Sequence, residues 1–526
     1  MAQNHAAQHP LASHALVERR AFIRRAALVA GGASMFGIGA GCSNDVVARS
    51  ATSSLTATST TSTTLTPEVY GSTLPYWMQG NYAPVAAETV AVDLEVSGRL
   101  PAGLAGLYAR NGSNPAGDPS PHWFLGDGMV HGVRLDRGRA TWYGNRYVQT
   151  PQYTKRTDFM GSGAPGGAVN QSNVSIFAHG GKLLTSGEVG LPYELSPNDL
   201  STIGVHDYDG ALRTAMTAHP KVDPDTGQMH FFGYGFVPPY LSYHVVDADG
   251  TLISSQEVAV PGPTMIHDFA ITDRDVVFWD LPVVFDMDLA LAALSASKSP
   301  TAGGDSKSAF PFRWDTSYGA RIGIMPLGGS TTDIRWVEIE PCYVFHGVNA
   351  YRDGDDVVVE VCRLPSMFSA EPDRRPEAIH RWRINTAGEQ LTFSDERISE
   401  QQMDLPALDR RETGRAHRNA WYLDVETNES GVGEFAGLTR LESATGAMDR
   451  YVPGERYRLN EGTFVADGNG DDGWLLSFAI DRARGASDLM VFDSHNMAGG
   501  PVATVHLPAL VPYGFHGWWL PDELSA

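Results

Sequence analysis

From about Tyr76 to its end the chain repeats one texture, and that texture restricts the fold more than anything else in it. Short β-favouring runs such as HGVRL, KLLTSGE, LSYHVVDADGTLISSQEVAV, DVVFWDLPVV, DVVVEVCRL and GWLLSFAID alternate with clusters of Gly, Asp, Asn and Pro. Branched and aromatic side chains suit a pleated, half-buried surface, whereas Gly and Pro supply the turns between strands. The 56 glycines and 32 prolines therefore favour many short strands over long helices. DADG at 247–250 and RDGDD at 352–356 mark hairpin turns between alternating strands. The best helical stretch is Leu289 to Ser297, followed by a polar Gly/Ser insert to Ser308. So many strands leave a large closed barrel, stacked sandwiches or a propeller. A propeller is favoured, because its radial blades protect strand edges and leave a central channel. No sharp internal repeat accompanies that expectation.

The first residues carry a different message. Arg19-Arg20-Ala21-Phe22-Ile23-Arg24-Arg25 precedes a small, apolar stretch from Ala26 to Gly41. Paired arginines ahead of such a stretch resemble a twin-arginine export signal, and the stretch is shorter than the roughly 20 apolar residues of a membrane span. Residues 1–41 are thus expected to be an export signal, with Cys42 as a candidate for acylation. Export would place the protein in the cell envelope or outside the cell, with membrane attachment through the acylated Cys42. Residues 42–75, rich in Ser and Thr, read as a tether that cannot bury enough apolar surface to offset its ordering entropy. Residues 76–526 form the body. A formal charge of −22 argues against nucleic acid as a partner. Three cysteines exclude a disulfide framework, and Cys342 and Cys362 are expected to be buried free thiols.

Four of the 17 histidines lie far apart, each in a strand-like segment: His219 (TAHPKVDP), His267 (MIHDFAI), His346 (CYVFHGVNAY) and His516 (PYGFHGWW). No short metal motif joins them. Four neutral imidazoles meeting at one point would suit a redox-active divalent metal such as iron and leave positions open for other ligands. A closed structural zinc site more often recruits thiolates at short spacing. A central axis is where one residue from each of several blades can meet. The chain shows no nucleophile elbow, Walker motif or dinucleotide fingerprint.

The segment LPAGLAGLYARNGSNPAGDPSPHWFLGDGMVHGVRL (Leu100 to Leu135) resembles the N-terminal signature of the carotenoid cleavage oxygenases. GNYAPVAAE, AHPKVDPDTGQMHFFGY, MIHDFAIT, CYVFHGVNAY, DDGWLL and YGFHGWW resemble further segments of that family, in family order, over about residues 76–522. The resemblance implies an all-β, seven-bladed β-propeller with Fe(II) on its central axis, held by His219, His267, His346 and His516. It implies carboxylates behind three of these histidines, at Glu188, Glu461 and Asp404, the last a shortened substitute for a glutamate. Val174 matches a small residue that shields one iron position, and Phe124 and Lys155 are candidates for the substrate tunnel. The implied activity is oxidative cleavage of a carbon–carbon double bond, with O2, in a lipophilic carotenoid- or apocarotenoid-like substrate. Cleavage of the α–β double bond of a stilbene or phenylpropanoid is the rival within the family. In that rival a tyrosine and a lysine commonly anchor the phenol, and Phe124 and Leu125 stand where the tyrosine would be expected. The rival from another class is a propeller that binds an apolar ligand without chemistry.

Overall fold

The computed structural model describes residues 69–71, 73–156, 171–297, 310–369 and 378–522. The expected export signal, Cys42 and most of the expected tether lie outside the described residues. Within them, seven antiparallel sheets form the blades of a propeller. The expected all-β, seven-bladed architecture is what the chain adopts.

Each blade is a meander in which alternate residues pack inward and the outermost strand faces water. Leu252–Glu257 shows the pattern plainly, alternating half-buried and exposed along its length. In contrast, neighbouring strands Met229–Tyr234 and Leu241–Val246 are buried throughout, because another blade covers each of their faces. The second blade is Ser175–His179, Lys182–Ser186, Tyr193–Leu195 and Thr202–Val205. The third runs from Lys221–Val222 to Leu252–Glu257, the fourth from Phe269–Ile271 to Arg335–Glu338 and the fifth from Tyr343–Asp353 to Thr392–Ser399. Met403–Ala407 to Met448–Tyr451 make the sixth.

The ring is closed from both ends of the chain. In the first blade, Gly106–Ser113, Gly128–Asp136 and Arg139–Tyr147 are joined by the late strand Gly517–Pro521, which pairs with Gly106–Ser113. In the seventh, strands between Tyr457–Leu459 and Pro501–His506 are joined by the early strand Val96–Gly98. Outside the blades, the hairpin of Val283–Phe285 and Phe312–Trp314 and the helix Met287–Ser297 branch from the fourth blade. That helix covers the predicted Leu289 to Ser297, and both predicted hairpin turns are present. Two of the axis strands are irregular: the register slips around Val344, Gly347 and Asn349, and again between Asp404 and Ala407. Both irregularities fall at the candidate site.

Candidate metal centre

Each blade sends one polar side chain to the axis. The first, third, fourth and fifth supply His516, His219, His267 and His346; the second, sixth and seventh supply Glu188, Asp404 and Glu461. One ligand nitrogen from each histidine lies within 4.8 Å of the other three. Ring centroids are 4.5 Å apart for His219 and His516 and 5.2 Å apart for His267 and His346. Histidines separated by up to 297 positions thus converge, as expected. The Nε2 atoms of His219 and His267 are 2.9 Å apart. Two imidazole nitrogens bound at right angles to one ion, at about 2.0–2.1 Å each, would be about 2.9 Å apart, so this pair fits a common metal.

The carboxylates fix which nitrogen faces the axis. Asp404 Oδ1 lies 2.7 Å from His346 Nδ1, Glu461 Oε1 lies 2.7 Å from His516 Nδ1, and Glu188 Oε1 lies 2.8 Å from His267 Nδ1. A proton held on Nδ1 leaves Nε2 with its lone pair aimed inward, as a metal ligand must be. Among the described residues His219 has no carboxylate partner. Burial, reinforced by the other three imidazoles, pushes its pKa well down and keeps it neutral. Burial also lowers His346, against the opposing pull of Asp404. At His267 the same burial is outweighed by the Glu188 carboxylate, and the pKa rises.

Asp404 meets its histidine directly, from a stretch of backbone that is irregular. The residue after it, Leu405, takes a left-handed conformation (φ 52°), and the strand register slips at the same place. Leu405 N–H also donates to Asp404 Oδ1 at 2.8 Å. Burial would raise the pKa of Asp404, but His346 and this N–H outweigh it and hold the carboxyl below its usual value.

The triplet Phe-His-Gly occurs twice and does the same work each time. Gly347 N–H donates to Asp268 Oδ2 at 2.9 Å, and Gly517 N–H donates to Glu461 Oε2 at 2.7 Å. A Cβ at Gly347 would sit 2.7 Å from the buried Trp279 ring. At His346 and His516 the residue after the histidine lines one cavity and the phenylalanine before it does not. Gly347, Asn349, Gly517 and Trp518, with Lys221 and Asp268, line a cavity of mixed polarity and about 180 Å³, onto which His219, His346 and His516 also open. The phenylalanines belong to an aromatic cluster: Phe345 packs at 5.1 Å from His267 and 6.1 Å from Phe124, and Phe515 packs 5.8 Å from Phe124. Phe124 also lines an apolar chamber with Phe236, Met265, Phe310 and Phe312, which reaches Glu188 and Tyr234.

Val174 is buried beside the centre, its carbonyl accepting from His516 N–H at 3.0 Å. Phe124 lines the apolar chamber. Lys155 does not: it is exposed at the end of the short helix Pro151–Lys155. Cys342 and Cys362 are free and buried, as expected. Sequence reasoning missed Tyr234, whose hydroxyl donates to Glu188 Oε2 at 3.0 Å, and the two glycine N–H groups. The repeated Phe-His-Gly triplet was the available signal for the glycines.

Fold and site together define a propeller enzyme with a four-histidine metal centre. Residues 82–521 match the family model of the retinal pigment epithelial membrane protein. The chain is 35% identical over 498 residues to a carotenoid cleavage oxygenase of Mycobacterium tuberculosis, covering 85% of this chain and 97% of that one. It is 34% identical to a carotenoid 9,10(9′,10′)-cleavage dioxygenase of Crocus sativus, covering 85% and 89%. Among solved structures, a lignostilbene dioxygenase of Pseudomonas brassicacearum superposes with a TM-score of 0.74 at 26% identity, covering 85% of this chain and 98% of that one. The chain belongs to the carotenoid cleavage oxygenase family.

Proposed function

We propose that this protein is an Fe(II)-dependent dioxygenase that cleaves a carbon–carbon double bond of a carotenoid- or apocarotenoid-like polyene to two carbonyl products. The observation that carries this reading is the convergence of four imidazoles against an aromatic cluster that meets them at Phe345. A divalent iron held by these histidines would supply activation of O2 next to the alkene. The chain's own part is positional. Glu188, Asp404 and Glu461 orient the ligands. Phe124, Phe310, Phe345 and their neighbours exclude water and hold an extended apolar substrate, and Val174 narrows the space beside His516. No protein acid or base is required, because both oxygen atoms of O2 end in the two carbonyls.

Iron-loaded protein incubated with carotenoids, apocarotenals and hydroxystilbenes, with products identified by mass spectrometry, tests the reading. Paired carbonyl fragments from the polyenes are expected, and turnover of the stilbenes alone would overturn it. The stilbene reading keeps one supporting observation, the 26% identical lignostilbene dioxygenase. Phe124 and the exposed Lys155 supply no phenol anchor for it.

The same proposal places the protein outside the cytoplasm, exported through residues 1–41 and anchored by acylated Cys42. The paired arginines and the position of Cys42 support this. Cys42→Ala should release the protein from membranes with catalysis on a soluble substrate unchanged. Persistent membrane fractionation would count against the anchor.

A further inference from the structure

Three histidines of the centre are oriented by a carboxylate at Nδ1, and among the described residues His219 has none. Its strand offers little support either. Lys221–Val222 is two residues long, pairs with Met229–Tyr234 only through Lys221 and Val222, and begins after His219. Something else must hold this imidazole at the axis.

Lys221 is placed to do so. Its Nζ lies 2.8 Å from Asp268 Oδ1, and the Asp268 side chain is buried. The same carboxylate accepts the Phe269 N–H on Oδ1 at 2.7 Å and the Gly347 N–H on Oδ2 at 2.9 Å. One buried anion thus ties the third, fourth and fifth blades together. Each tie falls one or two residues beyond a histidine of the centre: His219, His267 and His346. Hydrogen bonds between charged groups are about twice as strong as neutral ones, so the tie to Lys221 is the firmest of the three. Lys221 also borders the axial cavity, where its charge is met by Asp268 rather than left for a ligand. The link back from Lys221 to His219 is stiff. The Pro220 ring fixes its own φ at about −65° and confines the residue before it, His219, to extended backbone. The position of Lys221 is therefore passed to the imidazole instead of being lost in a flexible loop.

We propose that Lys221 is the positioning residue of His219. Through Asp268 and the Pro220 link it does what a carboxylate does directly for the other three histidines. This rests on the metal-centred part of the functional reading and is independent of which substrate is cleaved.

The test is a titration of full-length, metal-free protein with Co²⁺, without substrate or O2. Lys221→Met keeps the apolar stem and removes the charge, and it should weaken Co²⁺ binding about 10-fold, the lower end of the range for partners of metal-bound histidines. The loss should run through His219. In His219→Ala protein, which keeps three imidazoles, the same Lys221→Met change should cost less than about 2-fold, whereas a merely structural role would weaken both proteins alike. Lys221→Met leaves Asp268 buried without its cation and can fail to fold for that reason. Lys221→Met/Asp268→Asn removes both charges, should fold as judged by circular dichroism, and should bind Co²⁺ at least about 10-fold more weakly. Native affinity in either folded variant, or an equal loss with and without His219, would overturn the inference. Failure of the iron-loaded protein to cleave polyenes, with these affinities as expected, would instead sink the catalytic reading alone.

Discussion

Asp404 shows how a side chain one methylene short can still do a glutamate's work. Its carboxylate lies 2.7 Å from His346 Nδ1, in a stretch where Leu405 adopts a left-handed backbone and the strand register slips. Asp404→Asn keeps the shape and loses the charge. Loss of a carboxylate behind a metal-bound histidine typically costs about 10–100-fold in metal affinity, and that drop is expected in a titration of metal-free protein with Co²⁺. Asp404→Glu should bring no gain, because the aspartate already meets Nδ1 at 2.7 Å and the longer chain overshoots that position. Tighter metal binding by Asp404→Glu would show that the shorter side chain does limit the site. The four histidines and three acids came from the resemblance to a family, each lying in a segment that matches one of its motifs. The reach of Asp404 was not legible, since it depends on the φ of the next residue. Lys155 stands exposed at the end of its short helix and outside the apolar chamber, a placement that residue type alone does not reveal.

At the level of strands, alternation and turn chemistry made the hairpins readable, and the irregular axis strands were what they concealed. The slips at Val344–Asn349 and Asp404–Ala407 leave no mark in hydrophobic periodicity, yet they aim His346 and its partner. Gly347 sits in one of them, with its N–H on Asp268 and no room for a Cβ against Trp279. Gly347→Ala should cost about 1–3 kcal/mol through overpacking and lower metal occupancy, read from the thermal midpoint and the metal content together. A native midpoint would show that the strand can give way. The fifth and sixth blades are tied by Glu360, which accepts from Arg381 at 2.7 Å and from the Ser443 hydroxyl, and lies 3.2 Å from His417 Nε2. Burial would raise its pKa, but His417, Ser443 and Arg381 overcome that and bring it to about 2. A depressed carboxylate pKa stabilises the fold above its unfolded value and loses that contribution as pH falls through the folded one. Glu360→Gln should therefore cost about 3 kcal/mol at neutral pH. The gap to the unaltered protein should close between about pH 4.5 and 2 in urea melts. A gap independent of pH would mean that the cost is one of packing alone.

The whole ring exists only when both ends of the chain are in place. Val96–Gly98 completes the seventh blade beside Pro501–His506, and Gly517–Pro521 completes the first beside Gly106–Ser113. Neither pairing is local, so the closure could be expected from the resemblance to a family but not read from spacing. It also explains why the metal centre depends on the last strand. His516 stands immediately before that strand, and Gly517 holds Glu461, the partner of His516. Opening a propeller at its closing strand exposes two sheet edges and the apolar faces of two blades, which no remaining element can cover. A chain ending at His516 should therefore lose more than one ligand's orientation. It is expected to melt broadly at a much lower temperature, expose apolar surface to a fluorescent dye and fail to retain metal. Removal of residues 1–68, by contrast, takes away only the predicted signal and most of the predicted tether, and should leave the melt and the metal content unchanged. The two deletions, compared by circular dichroism and metal analysis, separate the closed ring from what is joined to it. A sharp, near-native melt for the chain ending at His516 would refute closure by its C-terminal strand as the source of the ring's cooperativity.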